Sequence, residues 1–364
     1  MGKRELLIVA VFAAIGLAIF RTVSPADGAP RNGFSIGSLI GQWRNRHMSM
    51  PAHATVTTTG RLAVAPALGA LRLSGLATVE VVGEARDDIA WELRAEANAP
   101  DEPAARQAAE QTTLRADDLG PVMAISVRAP GTAPQASTLT LRVPARLAIR
   151  VESARRTRVT GVSAVRLDNL VGDADVSAVD GLVDGGHRNG NLAIDDVERV
   201  RLTLVGSNAV LRAVRGETII NARDGNTRID NQQGPALVEV NGQALTVVEP
   251  EAPIRASGIG GEIVIERPRA AVDIDARRLH VGLALDRAVP VTVFSTDVRL
   301  DLTLDAGLPI RLDIATDDGT IDASHIGLAA EVRDGANHLV HAFGDEARVA
   351  IRDHRSSIVI TSGK

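Results

Sequence analysis

The stretch Val200-Arg-Leu-Thr-Leu-Val-Gly-Ser-Asn-Ala-Val-Leu-Arg-Ala-Val-Arg-Gly-Glu-Thr-Ile-Ile-Asn-Ala-Arg-Asp-Gly-Asn-Thr-Arg-Ile-Asp-Asn231 carries a pair of mostly apolar residues, two positions apart, that returns every nine residues. The repeat continues to residue 285 with almost no slippage. Leu202, Leu211, Ile220, Ile229, Val238, Val247, Ala256, Ile265, Ile274 and Leu283 form one series. Val200, Ala209, Thr218, Thr227, Ala236, Leu245, Ile254, Ile263, Val272 and Val281 form the other. Apolar residues at i and i+2 mark one face of a strand, and a fixed repeat of such pairs marks a chain stacked on itself. A nine-residue repeat fits a strand of about five residues and a turn of about four. Antiparallel hairpins satisfy that spacing, and so do the half-coils of a two-sided parallel solenoid with about 18 residues per coil. Hairpin turns vary from place to place, so a register held this long favours stacking. Gly216, Gly225 and Gly234 keep the same nine-residue step, with Gly242 one residue early, which puts turns in phase with strands.

Moving outward, the rhythm loosens. Leu147, Ile149 and Val151 open it, and Val165 with Leu167, Ala174 with Val176, and Leu192 with Ile194 continue it. Between them the glycine-rich segment Asp180 to Gly190 reads as a loop bulging from one coil, with His187 exposed on it. After Leu283 the step passes through Val293, Leu302, Leu312 and Ile321. Four closing strands, 328–332, 339–342, 347–351 and 358–360, are expected to cap a solenoid spanning 146–364. Upstream, 55–145 reads as a small strand-plus-helix region. Alternation predicts strands over 71–73, 79–82, 89–93, 122–127 and 139–143. Asp101 as N-cap and Pro103 in the first turn predict a helix over the Ala-rich 104–116, with Ala105, Ala108, Ala109 and Thr112 on a small-residue face.

At the N-terminus, Lys3 and Arg4 precede an apolar run from Leu6 to Phe20 that Arg21 and Pro25 close. Fifteen residues reach about 22 Å as a helix, against a hydrocarbon core of roughly 30 Å, so a cleaved signal peptide rivals a membrane anchor over 1–23. Pro25 between the small residues Ser24 and Ala26 weakens a cleavage site and favours the anchor. The basic flank places the N-terminus in the cytoplasm and the bulk of the chain outside it. Residues 24–54 read as a linker. Within it Ile36, Leu39, Ile40, Trp43, His47 and Met50 share one side of an amphipathic helix suited to a membrane surface, opposed by Gly33, Gly37 and Gly41.

Composition removes several functions. A net charge of −5 with 23% charged residues supplies no broad basic surface for nucleic acid. The chain has no Cys, hence no disulfide, thiolate metal site or Cys nucleophile. Aromatic residues make up 2%, with no Tyr and only Trp43 and Trp91 as Trp, which leaves few platforms for stacking sugars or bases.

Three runs carry a family resemblance: Leu147-Ala-Ile-Arg-Val-Glu-Ser153, Val165-Arg-Leu-Asp-Asn-Leu-Val-Gly-Asp-Ala-Asp-Val-Ser-Ala-Val-Asp-Gly181 and Gly225-Asn-Thr-Arg-Ile-Asp-Asn231. Over residues 60 to 325 the chain resembles the bacterial putative-adhesin family. The resemblance implies an exported single-stranded β-solenoid whose strands alternate with Gly-Asp or Gly-Asn turns. It brings no catalytic residues to carry over.

If both apolar series point inward, their neighbours face outward on two sides. One side carries Ile219 and Leu237 among mixed polar residues. The other carries Val248, Val264 and Ala284, an apolar patch that the N-terminal region or a partner is expected to cover. These five form the candidate interaction surface. Asp173, Asp175, Asp180, Asp184, Asp195 and Asp196 crowd the glycine-rich segment, where stacked turns could bind calcium, but no Gly-Gly-x-Gly-x-Asp repeat accompanies them. Arg255, Asp273 and Asp275 suit the outer face of a solenoid polysaccharide lyase, though without a stacking aromatic. His338 and His341 lie three apart on a strand and face opposite ways. No residue is assigned a catalytic, cofactor or metal role. The expectation is a non-catalytic binding or scaffolding protein of the bacterial cell envelope, attached to the inner membrane through its N-terminal segment, with an envelope protein or glycan as partner and no nucleic acid. An envelope polysaccharide enzyme and a sensor ectodomain are the alternatives.

Overall fold

The computed structural model describes residues 52–363 apart from 76 and 130–134. The anchor expected over 1–23, and all but the last residues of the linker over 24–54, lie outside the described residues. Residues Ala52 to Lys364 belong to one compact unit. The described residues are mainly β, with one α-helix among them, and their strands form a large mixed sheet. Among the described residues no helix is long and apolar enough to cross a membrane.

In the middle of the chain every segment pairs in parallel with the one 18 residues ahead. Val200 faces Thr218, Thr218 faces Ala236, Ala236 faces Ile254, and Ile254 faces Val272. Nine-residue neighbours are therefore not hairpin partners, and each 18-residue segment is one rung. Every member of both apolar series is buried, none more than 4% exposed, and their side chains meet in one core. The core is Val, Ile, Leu and Ala because inward positions recur at the same place in each rung and must pack on their own kind above and below.

Corners repeat as faithfully as strands. Ala178, Asp196, Ala213, Asn231, Glu249 and Arg267 all have left-handed backbones at one corner; Gly206, Asp224, Gly242, Gly260, Arg278 and Asp297 do so at the other. Gly, Asn and Asp suit that conformation, whereas Ala, Glu and Arg pay a steric penalty of roughly 1 to 2 kcal/mol. Some of them pair across rungs: Arg267 Nε lies 2.9 Å from Glu249 Oε1, and Asp297 Oδ1 lies 3.2 Å from Nε of Arg355, which is itself left-handed.

The segment Asp180 to Gly190 is not a loop. It lies within the continuous extended run Asp173–Val214, where Val183 is buried and pairs with Val165. A Cβ at Gly185 would sit 2.0 Å from the Leu167 carbonyl oxygen, and one at Gly190 would sit 2.2 Å from that of Gly172. These glycines let successive rungs touch.

Both ends of the stack are interleaved. Strands Ala70–Ser74 and Thr78–Glu84 lie between 122–144, which follows them in sequence, and 148–160, which follows later still; all pairings are parallel. Parallel pairing thus runs through position 145. At the other end, Ala347–His354 pairs in parallel with Val291–Thr296 on one side and Ile310–Asp317 on the other. Ser357–Ser362 likewise lies between Arg299–Leu304 and Thr320–Asp322. The last two strands were expected as caps; they are instead a rung wedged inside the stack. The outer edge is formed by Ala336–Ala342, antiparallel to Ile310–Asp317, with Glu331–Arg333 beyond it.

The helix spans Glu102–Glu110, shorter than expected, because Thr113–Asp118 forms a strand instead. Asp101 caps it, accepting from the Ala104 N–H at 2.8 Å, and Ala105 and Ala109 are its buried face. It packs on Ala52–Ala63 and Asp88–Ala99.

Candidate interaction face

Alternation along each rung turns every second side chain outward, and the 18-residue register lines these up in columns. Ile219, Leu237, Arg255, Asp273 and Thr292 form one column; Asn221, Glu239, Ser257, Asp275 and Phe294 form the next. Ile219 and Leu237, expected on one side, are direct neighbours. Leu237 is 46% exposed and Phe294 54%. Beside them Pro235, Pro253 and Pro290 recur at the same rung position and, with Arg255, Asp273 and Phe294, line a shallow trough of about 400 Å³. A proline has no N–H to give a ladder, yet its carbonyl still serves: those of Pro235, Pro253 and Pro290 accept from the N–H groups of Thr218, Ala236 and Val272. The result is an apolar ridge along the start of these strands.

The opposite side is less apolar than its sequence suggests. Val248 is only 9% exposed, and Glu266 lies between it and Ala284 in their column; Val264 sits in a separate column between Thr246 and Gly282. The helix region expected to cover these residues packs instead on its own strands, Ala52–Ala63 and Asp88–Ala99. With the three side chains half-buried or buried and interrupted by a carboxylate, little apolar surface there needs a cover.

The polar residues serve the stack. Each of several carboxylates in the acidic region faces a partner from another rung: Asp173 accepts from the Asn191 backbone and side chain, Asp175 lies near Arg156 and Arg158, and Arg166 bridges Asp168 and Asp184. Arg215 contacts Asp180, Asp196 and Glu198 together. From Asp173 an exposed ladder continues through Asn191, Asn208 and Asn226, linked by side-chain amides. The Asn191 backbone and side-chain N–H groups hold the Asp173 carboxyl below the usual range. Burial alone would raise the Asp168 carboxyl, but hydrogen bonds from Arg150 and Arg166 outweigh it and hold it low. Among the described residues no group of three or more acidic or histidine side chains is placed to hold a metal ion.

His187, expected on an exposed loop, is fully buried. Its Nε2 lies 2.6 Å from the Gly172 carbonyl oxygen and its Nδ1 2.9 Å from the Ser207 hydroxyl. Burial pushes its pKa down, opposed by the Gly172 carbonyl and the Asp173 charge, so the ring is held towards its neutral form. His280 sits between Glu262 Oε1 at 2.7 Å and Asp301 Oδ2 at 2.8 Å, which occupies both ring nitrogens. His338 and His341 are on opposite faces of Ala336–Ala342, and His341 stacks edge-on against Phe343 at 4.5 Å. Arg255 and Asp273 are neighbours at 3.8 Å, whereas Asp275 faces Arg277.

Sequence reasoning missed Phe294 and the proline ridge, although Pro235, Pro253 and Pro290 recur in step with the rungs. It also missed Asp353, a buried carboxylate that accepts from Ser295 Oγ at 2.5 Å, Thr316 Oγ1 at 2.7 Å, the Ser356 N–H at 2.9 Å and the Ser356 hydroxyl. Its signal was Asp353 with Ser356 three residues on, a local capping pattern.

No protein-family model matches the chain, and no curated protein does. Solved structures similar to it include a "putative cell adhesion protein" from Clostridium sporogenes, at 7% identity and TM-score 0.20 over 85% of this chain and 100% of that one. A "putative adhesin" from Parabacteroides merdae is similar at 8% identity and TM-score 0.32 over 85% and 96%. Another from Parabacteroides distasonis is similar at 9% identity and TM-score 0.28 over 84% and 97%. Two of the three are thus named putative adhesins and one a putative cell adhesion protein.

Proposed function

We propose that the chain is a non-catalytic, adhesin-like binding or scaffolding protein of the bacterial cell envelope. In this reading it is a single-stranded parallel β-solenoid with about 18 residues per coil, held to the inner membrane by its N-terminal segment with the bulk in the periplasm or beyond. One observation carries the proposal: the exposed prolines Pro235, Pro253 and Pro290 run along one sheet face, with exposed Leu237 beside the first of them and exposed Phe294 beside the last. Exposed apolar surface of this kind marks contact sites. The charges on this face, Arg255 with Asp273 between Leu237 and Phe294 and Arg277 with Asp275 beside them, are already paired with each other instead of converging on a substrate. The favoured partner is an envelope protein; the scarcity of stacking aromatics places a glycan second.

The test is photo-crosslinking in intact cells from residues 237 and 294, with residue 264 on the opposite side as control. The expected result is one discrete partner captured from 237 and 294 but not from 264, and lost in a Leu237→Asp/Phe294→Asp variant whose circular dichroism matches that of the parent. Equal capture from all three positions would overturn the assignment of this face. Release of sugar from purified envelope polysaccharide would favour the enzyme reading instead.

A further inference from the structure

The rung 347–362 has a topology that the rest of the stack lacks at this end. It lies between 291–304 and 310–322, yet it follows both in sequence. Its partners are 58 residues back on one side, Val291 to Val349, and 37 on the other, Ile310 to Ala347. The slot it fills has two edges that pair with each other only through it. What holds it there is specific to its own residues. Asp353 takes hydrogen bonds from Ser295 on one flank and Thr316 on the other. The Val298 N–H donates to Ser356 Oγ at 2.8 Å, Thr303 and Thr361 hydroxyls meet at 3.2 Å, and Arg348 and Arg352 both reach Asp313. Val349, Ile351, Ile358 and Ile360 are fully buried.

The connection into this rung is short and tight. Ala336–Ala342 runs antiparallel along the outer side of Ile310–Asp317; four residues later the chain is on its inner side. Residues 343–346 make that crossing at Pro309, where a Cβ on Gly344 would lie 2.7 Å from Pro309 atoms. Phe343 N–H donates to Ile310 O and Glu346 N–H to Pro309 O. A short, constrained hinge leading to an element with a self-contained set of contacts is the arrangement that favours exchange between copies. The contacts are the same whether made within one chain or between two.

We propose that the 347–362 rung is exchangeable: it leaves its own slot and inserts into that of a second copy, joining two chains at this end of the stack through residues 343–346 as the hinge. The partner is another copy of this chain because Asp353, Ser356 and Thr361 must meet Ser295, Thr316, Val298 and Thr303, a complement that this sequence itself supplies.

The absence of native Cys makes a direct test clean. Thr303 and Thr361 face each other across the slot, so a Thr303→Cys/Thr361→Cys variant reports whether the two residues belong to one chain or two. The full chain is unfolded, refolded at a series of concentrations and oxidised. Expected are covalent monomers at low concentration and a covalent dimer fraction that rises with concentration. Protein oxidised while monomeric should yield no such dimer on later concentration. Independently, two differently tagged unmodified chains incubated together should form mixed dimers, at least tenfold faster when both carry Asp353→Ala, which loosens the rung without touching the hinge. Complete disulfide formation with monomers only would overturn the proposal. So would dimers that lack the interchain disulfide, or an absence of mixed dimers with and without Asp353→Ala.

Discussion

The middle of the molecule and its C-terminal end use the same rung but join it differently. From 200 to 285 each rung finds its partner 18 residues away, so the stack can grow by adding one neighbour at a time. At the end, 310–322 reaches the stack only after 347–362 has arrived from beyond it, so that pairing requires closure of a longer loop before any contact rewards it. Their interiors differ accordingly. The buried polar side chains of the middle are neutral: Thr218 Oγ1 donates to Gln232 Oε1 at 3.0 Å, and Gln232 Nε2 donates to the Gly216 and Gly234 carbonyls. The end is fastened by a buried carboxylate. The regular middle relies on shape and neutral groups, whereas this out-of-order rung carries a group that meets both flanks.

The largest expected effect breaks the middle. Ile229→Ala should cost about 3 to 4 kcal/mol in chemical denaturation, because a fully buried side chain enclosed by rungs on both sides leaves a cavity. The transition should shift as a whole. Asp353→Ala should cost about 2 to 3 kcal/mol, since Ser295, Thr316 and Ser356 lose a buried acceptor. Its signature is regional: hydrogen exchange should quicken in 310–322 and 347–362 while 200–285 stays protected. Equal loss of protection in both regions would erase the distinction.

Acid should separate the regions as well. The depressed pKa of His187 means the native state resists protonation, so its contribution is present above the ordinary histidine pKa and lost as pH falls below it towards the folded value. His187→Gln should flatten the fall in melting temperature on going from neutral pH to about pH 5. For Asp313, burial raises the pKa but the Arg348 and Arg352 hydrogen bonds outweigh it, so it is lowered overall. Its contribution is present above the ordinary carboxylate pKa and lost only as pH falls below that, which places acid weakening of the end contact at lower pH than that of the His187 site. The smallest effect is a gain. Ala213→Gly, at φ 49°, should raise stability by about 0.5 to 1 kcal/mol, the relief of left-handed strain less the entropy of glycine. Arg267→Gly should gain less, because it also loses the exposed pair with Glu249, worth about 0.5 kcal/mol.

The two inward series were legible residue by residue because burial at i and i+2 imposes its period wherever a rung repeats. Ile219 and Leu237 as neighbours on one outer side followed from the same arithmetic. The order of rungs was not legible: Leu312, Ile321, Val349 and Ile358 obey the inward rule equally well whichever rung lies beside them, and only Asp353 marks the difference. His187 was misplaced because Gly185, Gly186 and Gly190 look like a turn, whereas two of these glycines, Gly185 and Gly190, lie against carbonyl oxygens of the preceding rung. Val248 was taken as exposed because alternation says which way a side chain points but not how much of it stays in solvent at a corner. The helix ended early because Leu114 and Ala116 fit a strand as readily as a helix face.

The wedged rung also decides where unravelling can start. Like a rope end tucked back under its own lay, 347–362 has a row of hydrogen bonds on each side, so it cannot peel away by breaking one. The looser edge is the hairpin 331–342, whose backbone pairs with the remainder only along Ile310–Asp317 among the described residues, with the Asn337 side chain adding a bond to the Gly319 carbonyl. A protease added under native conditions should therefore nick first near Asp334 and Gly335, at the hairpin tip, and leave the later-occurring 357–362 intact.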